Sequence, residues 1–145
     1  MDKHKHAIII IKNDKNEYLQ YYDKNWRNYL FLNCKLLENF KEEDIVEEVT
    51  QRLKLSNNNL KCKYLDDKIH KKYSVSAEKE KEYHHYFYSI EIENILGFMK
   101  KKAFIIDNIK YSWYSFEELE SDSRIQEVNS DIVEFIKKME QKIKL

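Results

Sequence analysis

Acidic side chains crowd one short stretch of this chain: Glu42, Glu43, Asp44, Glu47 and Glu48, followed by Gln51 and Arg52. On a helix, residues three and four apart are neighbours. Asp44, Glu47 and Glu48 would then turn three carboxylates to one side. Clustered carboxylate oxygens suit a hard divalent cation such as magnesium, which prefers an octahedral oxygen set. The same acids also suit the solvated face of an amphipathic helix, where the helix dipole favours negative charge near the N-terminus.

Other chemistry-bearing residues are more scattered. His84 and His85 are adjacent in a Tyr-His-His-Tyr run, so on a strand they point to opposite faces and cannot chelate as a pair. His4 and His6 have the spacing to share a metal, although a flexible N-terminus accounts for them equally simply. Cys34 and Cys62 show no CxxC pattern, and nothing beside them in sequence argues for a lowered thiol pKa. Trp26, Tyr21, Tyr22 and Tyr29 have rings that stack a base or pack a core. Glu91 and Glu93 share a strand face, which edge solvation explains. Lys100, Lys101 and Lys102 form a charge run suited to phosphate or to a solvated loop.

The acidic stretch has helical period over residues 41–54, with Ile45, Val46, Val49 and Leu53 on one stripe. Residues 7–11, Ala-Ile-Ile-Ile-Ile, read as a strand buried on both faces. Residues 13–16 are a turn cluster, and 17–22 alternate as a returning strand, which together predict a hairpin. A loop over 24–28 leads to a third strand at 29–33. The Asn run within residues 56–59 reads as a helix stop. Residues 60–72 form a weaker strand, 75–82 a polar connection and 83–92 a strand. On that strand His84, Tyr86, Tyr88, Ile90 and Ile92 share one face. A loop over 93–102 carries Gly97. Short strands follow at 103–106 and 110–115, then a helical turn at 116–120 capped by Ser115. Residues 131–143 read as a final amphipathic helix. No internal repeat or linker interrupts the pattern, so one α/β (α+β) domain over residues 1–145 is expected.

Composition narrows the function classes. The 145 residues carry 26 basic and 26 acidic side chains, so net charge is zero and general nucleic-acid binding is not expected. Hydrophobic residues at 42% suffice for one packed core. A single Gly and no Pro exclude a Gly-rich phosphate loop. Two cysteines and no signal-like N-terminus suggest a reducing, cytoplasmic setting, and the five-residue apolar run at 7–11 is far too short to span a membrane.

The order of hairpin, strand, loop-helix, strands and terminal helix resembles the Nudix (nucleoside diphosphate linked to X) hydrolases. Residues 7–22 resemble the opening hairpin of that family. Residues 29–55 resemble the Nudix box, and residues 111–119, Tyr-Ser-Trp-Tyr-Ser-Phe-Glu-Glu-Leu, resemble a late segment of Trp, aromatic and a Glu-Leu helix. The family box runs Gly-Gly-Lys, a loop, then Arg-Glu-apolar-x-Glu-Glu-x-Gly-apolar. Here Asn33, Cys34 and Lys35 stand at Gly-Gly-Lys. Glu47 replaces Arg, Glu48 keeps the first Glu, and Gln51 and Arg52 replace the other two. Lys54 replaces Gly, and Leu55 keeps the apolar residue. An alternative register starts the acidic pattern at Asp44 and moves the helix by one turn.

The resemblance implies a Nudix-like α/β/α sandwich with a mixed β-sheet. It implies Glu48 and Glu47 as the catalytic carboxylates, with Glu48, Glu47, Gln51 and the more distant Glu82 as metal ligands. It also gives Lys35 and Arg52 as phosphate-contacting cations. The cofactor would be Mg2+ or Mn2+ if the chain is active. The ligand would be a nucleotide or another nucleoside-diphosphate compound, and a homodimer is compatible with the family. Gln51 supplies only a neutral carbonyl, and Arg52 puts a cation where a metal should bind. The box therefore reads as degenerate and hydrolysis as weak or lost. Two alternatives stand beside this: a divergent Mg-dependent pyrophosphohydrolase, and a protein-interaction module on the same scaffold.

Overall fold

In the computed structural model, residues 2–56, 59–74, 79–95 and 97–143 are described. In chain order the elements are β1 (Asp2–Ile11), β2 (Glu17–Asp23), β3 (Asn28–Lys35), α1 (Glu42–Leu53), β4 (Leu60–Ser74) and β5 (Lys79–Ile92). A 3-10 helix (Gly97–Lys100), β6 (Ala103–Ile106), β7 (Ile109–Ser115), α2 (Phe116–Ser121) and α3 (Ser123–Ile143) complete the chain. Hydrogen-bonded neighbours run β4-β5-β1-β3-β2-β7-β6. The β1–β5 ladder is parallel and the other ladders are antiparallel, so the sheet is mixed and the class is α+β. Contacts divide the chain into two compact units, residues 1–11 with 32–95 and residues 12–31 with 96–145.

In the first unit, β1 lies between β5 and the end of β3. The run from Ala7 to Ile11 is buried at every residue, as expected for a strand with both faces covered. The strand also extends further toward the N-terminus than that apolar run. His4 and His6, expected in a flexible segment, belong to β1 and pair in register with Tyr83 and His85. Helix α1 buries Ile45, Val49 and Leu53 completely. Burying each such side chain contributes roughly 1.5–3 kcal/mol. The helix ends before the Asn run. Lys54 adopts the left-handed conformation (φ 57°, ψ 43°), and the amides of Lys54 and Leu55 both donate to the Thr50 carbonyl. Asn57 and Asn58 of that run, and residues 75–78 of the expected connection, lie outside the described residues. From Lys79 onward that connection is already strand β5.

The second unit holds β2 between β7 and the first half of β3, with β6 at the edge. A hairpin of β1 and β2 is the expectation from sequence. The turn is present, built on the Asn13 side chain, which accepts from the amides of Lys15 and Glu17. Only one bridge, Lys12 to Tyr18, follows it. β2 ladders with β3 and β7 instead. Ser115 caps α2 as expected, and its hydroxyl accepts from the Glu118 amide while the Glu118 carboxylate accepts from the Ser115 amide. Helix α3 begins at Ser123, well before residue 131, because Asp122 caps it through the amides of Arg124 and Ile125. Asn129 is non-helical (φ −119°, ψ 23°) and kinks α3 just before the expected start.

Positive backbone φ at Asn16, Arg27, Lys54, Asp107 and Asn108 shows how this chain turns almost without glycine. Asp107 and Asn108 form the two-residue turn between β6 and β7, with both central residues left-handed.

Candidate functional site

The candidate site lies within the first unit, where the ladders line up four side chains in one row. Cys34 of β3 pairs with Ala7 of β1, Ala7 with Tyr86 of β5, and Tyr86 with Asp67 of β4. Two residues along the strands, Lys5 pairs with His84 and His84 with Ile69. Side chains on one strand face recur every second residue. His84, Tyr86 and Tyr88 therefore share a face, as the alternation predicts.

Helix α1 lies on this face. The Phe40 ring, just before the helix, packs edge-on against Tyr86 with centroids 5.1 Å apart. Glu42 in the first turn acts electrostatically on Tyr88 and Cys62. Burial raises the Cys34 thiol above its ordinary value, and Glu48 adds to the shift. Burial and then Glu42 push the Cys62 thiol up to about 11. Both thiols are thus held in the protonated, unreactive form at neutral pH.

One edge of α1 carries Asp44, Glu48 and Arg52, all acting electrostatically on Cys34. Arg52 Nε lies 2.9 Å from Glu48 Oε1, a pair joined across one helical turn. Asp44 is committed to the helix start, where its carboxylate accepts from the Lys41 amide at 2.8 Å. Glu47 is exposed on the neighbouring flank and accepts from the Gln51 amide nitrogen at 3.3 Å. Glu48 and Arg52 are therefore brought together, and Glu47 with Gln51 beside them.

Lys35 and Glu82 are placed elsewhere. Lys35 follows Cys34 on β3 and so points to the other face, where its charge helps lower the His6 pKa after burial and His4. Glu82 pairs with Lys3 and Lys71, four residues before Tyr86 and about 13 Å along the strand. Among the described residues no group of three or more His, Cys, Asp or Glu is arranged to hold a metal ion.

A network at the opposite end of the row is one that sequence reading misses. His84 Nε2 donates to Asp67 Oδ2 at 2.6 Å, and the Tyr64 hydroxyl donates to the same carboxylate. The Tyr64 hydroxyl and then His84 hold the Asp67 carboxyl below its ordinary value. The His84 and Tyr86 rings stack at 4.2 Å, inclined by 22°. A bulge between Tyr64 and Asp66 sets this arrangement. The extra residue reverses the alternation, so Asp67 rather than Asp66 shares the face of His84. No local sequence signal marks that bulge.

The remaining candidates have structural partners or lie apart. Lys102 contacts Glu17 at 3.1 Å and Glu118 at 2.5 Å, and Glu93 pairs with Lys61 at 3.4 Å. Tyr22 and Tyr29 pack edge-on, Tyr29 against Tyr114 as well, and the Tyr21 hydroxyl donates to Asp23. Trp26 is exposed in a turn. Among the described residues no helix is long and apolar enough to cross a membrane.

No protein-family model matches the sequence, and no curated protein matches it. Solved structures do match the fold. An Ap4A hydrolase from C. elegans superimposes with a TM-score of 0.61 at 10% identity, covering 99% of each chain. An ADP compounds hydrolase gives 0.58 at 10% identity, covering 94% of this chain and 72% of its own. RenU, a Nudix hydrolase from M. smegmatis, gives 0.53 at 7% identity, covering 94% and 87%. The chain adopts the fold of the Nudix hydrolases.

Proposed function

We propose that this chain is a Nudix-like domain that binds a nucleotide or another nucleoside-diphosphate compound and hydrolyses it weakly or not at all. The observation that carries the reading is the ion pair between Arg52 and Glu48 at 2.9 Å. In the register that keeps Glu48 as the first box carboxylate, the charge that faces Glu48 belongs to the chain itself. A guanidinium binds phosphate oxygens through a planar fork of donors, so Arg52 offers electrostatic help to a diphosphate without a metal.

The backbone supports that register. Lys54 falls where the family box has Gly, and Lys54 holds the left-handed geometry for which Gly is the usual choice. In the alternative register Asp44 would be a ligand, but its carboxylate already caps the helix.

The donor set does not fit a magnesium or manganese ion. Glu48 is paired, Gln51 is neutral and faces Glu47, and Glu82 is rows away. The Ap4A hydrolase and the ADP compounds hydrolase both act on nucleotide compounds, and their folds match over most of this chain, which supports the ligand class.

The test is binding and product formation measured together on a panel of nucleoside triphosphates, dinucleotides, sugar nucleotides and ADP-ribose, with magnesium or manganese. Binding with negligible turnover is expected. Turnover at ordinary enzymatic rates that Glu48→Gln abolishes would overturn the reading in favour of a working pyrophosphohydrolase.

A further inference from the structure

We propose that β6 is a self-complementary sheet edge through which two copies of this chain pair, with Ala103 of each strand opposite Ile105 of the other. The surface lies within the second unit and is independent of the ligand reading above.

β6 (Ala103–Ile106) stands at one end of the strand order, and among the described residues only β7 pairs with it. The register fixes which backbone groups are left over. Successive residues of an antiparallel strand direct their amide and carbonyl alternately to one side and to the other. The Lys102 carbonyl accepts from the Trp113 amide at 2.9 Å, so Lys102, Phe104 and Ile106 turn theirs toward β7. Ala103 and Ile105 therefore turn theirs toward the open edge.

This edge lacks the devices that commonly keep edges apart, such as charge, proline or a bulge. The strand reads Ala-Phe-Ile-Ile, and its ladder with β7 keeps one register throughout. Ile105 is 66% exposed. On the other face Phe98, 43% exposed, packs edge-on against Phe104 at 5.9 Å. Apolar surface thus reaches the rim on both faces.

Charge selects a second copy as the occupant. Lys101, Ala103, Ile105 and Asp107 are all exposed and alternate with Lys102 and the buried Phe104 and Ile106. Two antiparallel copies related by a two-fold axis at Phe104 set Lys101 opposite Asp107 at both ends, with Ala103 opposite Ile105 between them. Asp107 is the first residue of its turn, and the long Lys101 side chain reaches across to it. Residues directly opposite share a face, and opposite charges there attract. In this register the outward amides and carbonyls of Ala103 and Ile105 meet, and the two Phe104 rings stand opposite each other on the axis. Sliding the copies by two residues keeps the backbone bonds but sets Asp107 opposite Ala103, or Lys101 opposite Ile105, and the charge pairing is lost. Such a pair uses the same patch twice, so it closes at two copies. The strand is short, which puts the contact among small, weak interfaces.

The test is sedimentation equilibrium of the full chain from micromolar to millimolar concentration. The proteins are wild type, Ile105→Lys, Lys101→Glu and Asp107→Lys, each checked for wild-type circular dichroism. Wild type should pass from monomer to dimer as concentration rises. Each variant alone should dimerise roughly tenfold more weakly, because Ile105→Lys charges the apolar centre and the other two set like charges opposite each other. An equimolar mixture of Lys101→Glu and Asp107→Lys should regain the dimer, since the introduced charges then face each other and so do the retained ones. Wild type that stays monomeric, or grows beyond a dimer, would overturn the inference. So would a dimer that Ile105→Lys leaves unchanged, or a mixture that associates no better than its components. Position 107 is left-handed; should Asp107→Lys not fold there, Ile105→Lys at its exposed site decides alone.

Discussion

Arg52 closes on Glu48 at 2.9 Å, so the carboxylate best placed by sequence for a metal is paired with a side chain one helical turn on. The pair is partly exposed, and such pairs contribute little to stability. Its effect is on charge at the site. Replacing Gln51 and Arg52 together by Glu removes the internal cation and sets carboxylates at positions 48, 51 and 52 on neighbouring helix positions. The double variant should bind magnesium more tightly than wild type, measurable by calorimetry. An unchanged heat of titration would show that the cation at position 52 is not what excludes the metal.

Lys54 carries a left-handed backbone with a full side chain. A residue with a Cβ is strained there, whereas Gly is not. Lys54→Gly should raise stability by about 1 kcal/mol, although greater freedom of Gly in the unfolded chain offsets part of the gain. A shift of the urea midpoint at constant slope reads the effect. A drop in midpoint would mean that the Lys54 side chain supplies more than strain.

Asp67 gives a pH dependence with a defined sign. Its carboxyl is held below the ordinary value, near 3.8, by the Tyr64 hydroxyl and His84. A lowered folded value stabilises the fold above the ordinary value, and that stabilisation is lost as pH falls through the folded one. Asp67→Asn should therefore be less stable than wild type near pH 7, and the gap should narrow as pH falls below the ordinary carboxyl value of 3.8 toward the lower folded one. The group is partly exposed, so the gap should be modest. A gap that stays constant or widens in acid would contradict the network as described.

Cys62 should label slowly. With its thiol pushed up to about 11 by burial and Glu42, only about a thousandth is thiolate near pH 8. Iodoacetamide should modify it far more slowly than a free thiol, with a rate that climbs up to about pH 11. Mass spectrometry of the peptide containing residue 62 follows it directly. Fast labelling at neutral pH would place the thiol in a different environment.

Local patterns are readable in the sequence where they answer to local physics. The Ala7 to Ile11 run, the stripe of Ile45, Val49 and Leu53, and the Ser115 cap all act within a few residues, and each is present. Pairings between distant segments are not readable in this way. That His4 and His6 extend β1 depends on parallel partners far along the chain, Tyr83 and His85. The Asp67–His84 contact depends on a bulge that reverses the alternation along β4. The early start of α3 depends on the Asp122 cap, and the kink at Asn129 masks it by imitating the beginning of a helix.

Among the described residues, five left-handed positions carry Asn, Asp, Arg or Lys, while the single glycine, Gly97, is not among them. A signature spelled in amino-acid letters treats Lys54 as a lost glycine. One spelled in torsion angles finds the position intact. The backbone grammar of these turns is kept in a vocabulary that nearly omits glycine.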